Sequence, residues 1–237
     1  MKSGNSQKSI ALRDQLGKRD RSIIADVLLY RLITNEIVGA RHLPGLSANA
    51  VTKVTARLVR DKWLQSHSLF DKCVYFGPGK SCARQYGLPA SRVLPLGTQA
   101  LASHLSIASY CLEPSKQYQL LSAQHFTNSW SWIPKKLRIL PHAVQQSEDK
   151  LQLRILRVDL GGTPVHVATK CNQDINLRRD VTGYAQLLAD RKLVYVVLTS
   201  TDSKKQAIML ALQKRRWPVN TRFEVAVIPE LCRLLSL

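Results

Sequence analysis

Acidic side chains are scarce in this chain: 16 Asp and Glu stand against 35 Lys and Arg, a formal net charge of +19 over 237 residues. Such an imbalance argues against a cationic partner and draws a folded chain toward polyanions, of which nucleic acid is the abundant cellular case. Long apolar runs are missing too. No stretch reaches the roughly 18 residues a membrane span needs, and the opening MKSGNSQKSIALRDQLGKRD has positive charge without the apolar segment of a secretory signal. The five cysteines, Cys73, Cys82, Cys111, Cys171 and Cys232, form no CxxC pair. They read as reduced thiols of a cytoplasmic protein, neither a zinc site nor a disulfide framework. There is no heptad run, internal repeat, GxSxG, HExxH or His pair at ligand spacing, so no cofactor or metal is expected.

Apolar residues make up 45% and charged residues 22% of the chain, the balance of a folded protein. Residues 1–63, 64–150 and 151–237 carry net charges of +7, +5 and +7. The cationic excess is therefore spread through the body rather than confined to a tail.

Residues 1–18 are polar and Ser/Lys-rich and read as a flexible basic arm. Asp20 is placed to cap a helix over 21–32, where Ile23, Ile24, Val27, Leu28 and Leu32 recur at helical spacing. Thr34 starts a shorter helix. His42-Leu-Pro-Gly-Leu46 turns the chain, and Ser47 caps a third helix over 48–62. On that helix Val51, Val54 and Leu58 form the core stripe. Asn49, Thr52, Lys53, Arg57 and Arg60 lie around the rest, with no acid before Asp61. Solvated helix faces usually mix acid with base. An acid-free face of Asn, Thr, Lys and Arg has the groups that read base edges and hold phosphates.

A strand to Phe70, a β-like run at Cys73-Val-Tyr-Phe76 and another at Arg92-Val-Leu94 then predict a β-hairpin, with a helix following Leu96-Gly-Thr98. Lys80 and Arg84 fall in the loop of this expected wing, beside flanking phosphates. Gly77-Pro-Gly-Lys-Ser81 resembles the end of a phosphate-binding loop, but position 74 is Val where that motif needs Gly, so nucleotide binding there is rejected. Phe126, Trp130 and Trp132 read as the core of a connecting segment. Further on, 151–160 alternates as a half-buried strand, Val165 and Val167 suggest another, and a helix covers 175–189. The apolar run 193–198 reads as a strand covered on both faces. A helix from Asp202 to about 216 and a strand over 221–228 complete an α/β pattern.

This order resembles the replication-relaxation family of plasmid and mobile-element proteins over residues 19–198. The likeness rests on the Asp20 helix, Arg57-Leu58 to Trp63-Leu64, Leu94-Pro-Leu-Gly-Thr98, His125, Pro141-His-Ala143, Val158-Asp159-Leu-Gly-Gly-Thr163 and Tyr184. It implies an α+β N-terminal winged helix-turn-helix followed by an α/β restriction-endonuclease-like domain. Such a nuclease needs an acid after a Pro, then an acid and a further charged residue two positions apart on the next strand, to hold a divalent metal. Here those positions are His142, Arg157 and Asp159. An Arg at a metal position repels the ion and one carboxylate does not supply enough hard oxygen, so the domain reads as catalytically degenerate. The alternative is a rearranged site of Asp149, Asp159, Asp174 and Lys170.

The expected organisation is an arm (1–18), a winged helix (19–112), a connecting segment (113–147) and the nuclease-like domain (148–237). The expected partner is double-stranded DNA, met by Asn49, Thr52, Lys53, Arg57, Arg60, Lys80 and Arg84. A homodimer and protein partners of a replication, conjugation or transposition complex are in keeping with that role, and no membrane is. Rival readings are an active metal-dependent endonuclease, with Asp159 and Lys170 as its candidates, and a structural RNA-binding protein.

Overall fold

The computed structural model describes residues 16–116, 118–147 and 150–236, with side chains described except at 146, 147 and 150. Among these residues the protein is a mixed α/β structure with ten α-helices and two sheets. It divides into two compact units, Met1–Gly97 and Thr98–Leu237. No described helix is long and apolar enough to cross a membrane. None of the five cysteines forms a disulfide, and burial pushes the Cys171 thiol up to about 11 and Cys82 to about 12.

The first unit begins with helix α1 (Lys18–Tyr30), whose Ile23, Ile24 and Val27 are fully buried. Most of the expected arm lies outside the described residues, but Leu16 is buried and Lys18 already belongs to α1. Strand β1 (Ile33–Thr34) leads into α2 (Asn35–His42), capped by the Thr34 hydroxyl accepting from the Ile37 amide. Helix α3 (Ala48–Arg60) is capped in the same way by Ser47. Strands β2 (Leu64–Phe70) and β3 (Cys73–Pro78) then form an antiparallel hairpin, and the sheet order is β1-β3-β2. The hairpin closes at Asp71-Lys72, with Asp71 in the left-handed region at φ 49°.

This register corrects the expected wing. Strand β3 has β1 on one edge and β2 on the other, so no place beside it remains for residues 92–94. Ala90–Arg92 instead forms a 3₁₀ turn, with Arg92 donating to the Leu28 carbonyl at 3.1 Å. The Gly-Pro-Gly segment opens a six-residue helix, α4 (Lys80–Gln85). Its second glycine has a packing cause. A Cβ at Gly79 would lie 2.3 Å from the Lys62 carbonyl oxygen and 2.7 Å from that of Leu64.

The second unit starts with α5 (Thr98–Cys111). Sequence reading placed this helix at the end of the winged-helix domain. It packs instead against strands of the second sheet and the last helix, burying Leu101, Leu105 and Ala108. Strand β4 (Tyr118–Leu120), helix α6 (Ala123–Asn128), β5 (His142–Ser147) and β6 (Lys150–Val158) follow. Next come α7 (Pro164–Arg178), α8 (Thr182–Ala189), β7 (Leu193–Thr199), α9 (Asp202–Gln213), β8 (Arg222–Val227) and α10 (Pro229–Leu235). The sheet order is β4-β5-β6-β7-β8, antiparallel through β6 and parallel from β6 to β8.

Residues 113–147 are thus not a connector. They supply two strands, and Phe126, Trp130, Ile133 and Leu137 join Leu153, Ile155, Ile175 and Tyr184 in one core. Every residue of β7 is buried, as its unbroken apolar run requires. Val165 and Val167 are helical rather than extended, because the Thr163 hydroxyl caps α7 and Pro164 fits its first turn. The helix expected over 175–189 is two helices, parted at 179–181.

Gly79→Ala should therefore cost roughly 2–3 kcal/mol or more, since backbone rather than a yielding side chain blocks the new methyl. Gly97→Ala, with no atom within 4 Å of the added Cβ, should be near neutral. Urea unfolding midpoints of the two variants would check the contrast.

Candidate nucleic-acid interface

Helix α3 has two faces of different chemistry. Val51, Thr55 and Leu58 are buried, while Asn49, Thr52, Lys53, Ala56 and Arg60 are exposed. The exposed set follows the i, i+3, i+4, i+7, i+11 spacing of one helical stripe. Lys53 has no ion pair among the described residues. Thr52 donates its hydroxyl to the Ala48 carbonyl at 2.9 Å, so it offers a lone pair outward more readily than a proton. Arg60 meets Asp61 at 3.2 Å with its side chain 74% exposed, a weak solvent-screened pair.

Arg57 departs from the expected role. One of its guanidinium nitrogens lies 2.8 Å from both carboxylate oxygens of Asp20, whose side chain is only 4% exposed. A carboxylate buried on the core side of α1 needs a counter-charge, and Arg57 supplies it at the flank of α3. Asp20 does not cap α1 either. Gly17 holds that position and Asp20 sits in the first turn. Its spacing from Ile23, Ile24 and Val27 puts it on the apolar stripe, a signal that an inward acid awaited a partner.

Two further polar ties fix the three helices. Asp26 of α1 accepts from Arg41 at 3.1 Å and contacts His42 Nε2 at 2.8 Å, both on α2. The Thr55 hydroxyl of α3 donates to the Asn35 amide oxygen of α2 at 3.0 Å. Together with the Asp20–Arg57 pair they orient α3, turning its cationic stripe outward.

Lys80 and Arg84 are exposed but lie on α4, not in the hairpin loop where sequence reading put them. The residues at the hairpin turn are Asp71 and Lys72, both exposed. The two-residue turn was missed because it contains no Gly or Asn.

In the second unit, of the three positions compared with nuclease acids, His142 lies on β5 opposite Ile155 of β6, Arg157 on β6, and Asp159 just past its end. Each is engaged internally. His142 is fully buried. Its Nδ1 faces the Leu140 carbonyl at 2.7 Å and so carries the ring proton, which leaves Nε2 to accept from the Tyr184 hydroxyl at 2.7 Å. Burial, helped by the Arg178 charge, holds its pKa down to about 3.

Arg157 pairs with Asp174 of α7, whose other oxygen lies 3.4 Å from Arg178. Asp159 is 3% exposed and accepts from the Gly161 and Gly162 amides, the Thr199 hydroxyl and Lys204 at 2.9 Å. It thereby ties the turn after β6 to the end of β7 and the start of α9. Lys170 is half-buried on α7, one turn before Asp174. The Asp149 proposed for a rearranged site lies outside the described residues. Among those described, no group of three or more His, Cys, Asp or Glu is placed to hold a metal ion.

Comparison with family models, curated proteins and solved structures finds no match to this chain. The chemistry of α3 and of the sheet therefore carries the reading.

Removing Arg57 leaves Asp20 without its main counter-charge. Arg57→Ala should lower stability by roughly 1–2 kcal/mol, the partial exposure of the guanidinium moderating the loss; chemical denaturation measures it. For His142, the folded pKa lies below the 6.5 of the unfolded chain, so unfolding takes up a proton between those values. Stability is then full above about pH 6.5 and falls as pH drops toward 3, by an amount on the order of 4 kcal/mol. The slope of unfolding free energy against pH should flatten in that window for His142→Gln.

Proposed function

We propose that the chain binds double-stranded DNA through its first unit, in the manner of a winged helix, with α3 in the major groove and the β2–β3 hairpin beside the backbone. The observation that carries this reading is the exposed, acid-free stripe of Asn49, Thr52, Lys53 and Arg60. Asn49 pairs two-pronged with an adenine edge, and Lys53 and Arg60 reach guanine edges or phosphates. Arg57 is left out of the base-reading set, since it answers Asp20. Lys72 at the hairpin turn takes the phosphate role first given to Lys80 and Arg84.

The second unit reads as the degenerate nuclease-like module of the resemblance. An acid after Pro141 and a charged pair on the next strand are the positions that likeness requires, and His142, Arg157 and Asp159 occupy them with internal bonds. The cellular role in keeping with both units is control of plasmid or mobile-element replication, transfer or transcription.

Selection of bound sites from random duplexes, followed by anisotropy titrations on the selected site, tests the reading. Asn49→Ala should lose about 1–3 kcal/mol of preference for the selected site while leaving random duplex binding unchanged. Lys53→Ala should weaken both and reduce the salt slope by about 0.9. Duplex RNA competing as well as duplex DNA, or both variants binding like the parent, would set the proposal aside.

A further inference from the structure

The second unit contains an open cleft of about 630 Å³, inside the range of about 300–1,000 Å³ typical of small-molecule sites. Nothing in the nuclease comparison or in the DNA-binding face uses it. Its apolar lining comes from Leu121, Val144 and Leu187, and its aromatic side from Trp130 and Trp132. The two indoles stand 5.8 Å apart at 49°, and Trp132 meets the Tyr184 ring edge-on at 5.0 Å. Trp132 owes its place to a missing side chain. A Cβ at Gly183 would fall 2.4 Å from the indole ring, so only glycine at this point of α8 lets the ring lie against the helix.

The polar part of the lining is made chiefly of groups that donate and accept at once. Gln119 and Gln186, both exposed, face the cleft from β4 and α8. His125 has its tautomer set by a helix cap: the Ser122 amide donates to Nδ1 at 3.0 Å, so the neutral ring carries its proton on Nε2. That Nε2 lies 3.4 Å from the terminal amide of Gln119. It is the amide nitrogen that faces the ring there, a long contact that leaves the carbonyl oxygen and an N–H for a ligand. The charges at the mouth, Asp190 and Lys192, lie 3.6 Å apart and largely cancel.

An apolar slot with indoles on one side and paired amides at its edge suits a flat, neutral heteroaromatic ring bearing adjacent donor and acceptor atoms. A glutamine amide matches the amino group and ring nitrogen of adenine two-pronged, and an indole supplies a stacking surface. We infer that this cleft binds a single unstacked adenine base, with Gln119 or Gln186 reading its edge against Trp130 and Trp132. The base comes either from a free nucleotide or from an unpaired position in a nucleic-acid strand. The inference does not rest on the role of α3, which belongs to the other unit.

Tryptophan fluorescence of the full chain, titrated with adenosine, adenosine monophosphate and inosine, tests it. An oligonucleotide hairpin with one unpaired adenine and its fully paired counterpart separate the two sources. Saturable quenching is expected with adenine, weakened tenfold or more with inosine, which lacks the amino group. Gln119→Leu, at an exposed position, should weaken adenine binding severalfold and narrow the gap to inosine. Gly183→Ala should abolish binding by forcing Trp132 out of place. Preference for the unpaired-adenine hairpin without response to free adenosine would assign the site to a strand, and the reverse to a free nucleotide. No saturable response to any of these ligands, or equal response to adenosine and inosine, overturns the inference. So does unchanged adenine binding in Gln119→Leu together with Gly183→Ala.

Discussion

A buried carboxylate must find a cation, and in a chain with so few acids this requirement organises both units. Asp20 holds Arg57, Asp26 holds Arg41 and His42, Asp174 holds Arg157 and Arg178, and Asp159 holds Lys204. In each case the acid is the more buried partner or lies at the centre of a cluster. Taking an ion out of water is costly unless its partner comes with it, so each inward acid fixes one or two basic side chains. Lys53 is exposed and has no ion pair among the described residues, so its charge stays on the surface. Part of the overall charge of +19 is in this way left exposed, as on the outer face of α3.

The same constraint bears on the second unit. His142, Arg157 and Asp159, the positions that the proposed nuclease likeness would make metal ligands, are each satisfied by neighbours rather than left open. His142 is neutral and enclosed, Arg157 answers a carboxylate, and Asp159 closes a turn. A cluster assembled this way stabilises the sheet's connections. An open cleft of the same unit lies elsewhere, lined by Gln119, His125 and Trp132.

Much of the helix and strand order was legible in local patterns. The apolar spacing of Ile23, Ile24 and Val27, the caps at Thr34 and Ser47 and the unbroken run of β7 all announce themselves within a few residues, whereas the helix from Asp202 is capped by Thr201 rather than by Asp202 itself. Local pattern and structure part where an element's fate depends on partners far along the chain. The run at 92–94 has strand-like composition, but β3 offers it no free edge. Val165 and Val167 are β-branched, but a cap at Thr163 and a proline at 164 start a helix around them. The helix from Thr98 looks like the close of one unit, and only its packing against the second sheet shows where it belongs.

What the sequence determined by itself was the cationic excess, the acid-free face of α3 and the absence of paired cysteines or a long apolar run, because composition and short-range spacing are properties of the chain alone. Tertiary structure decided which cations are free. Arg57 and Lys53 sit on the same helix with the same charge and nearly the same neighbours in sequence, yet one is bound to Asp20 and the other faces solvent. That difference comes from an acid 37 residues away, and no local pattern carries it, because ion pairing acts through space while periodicity acts along the chain.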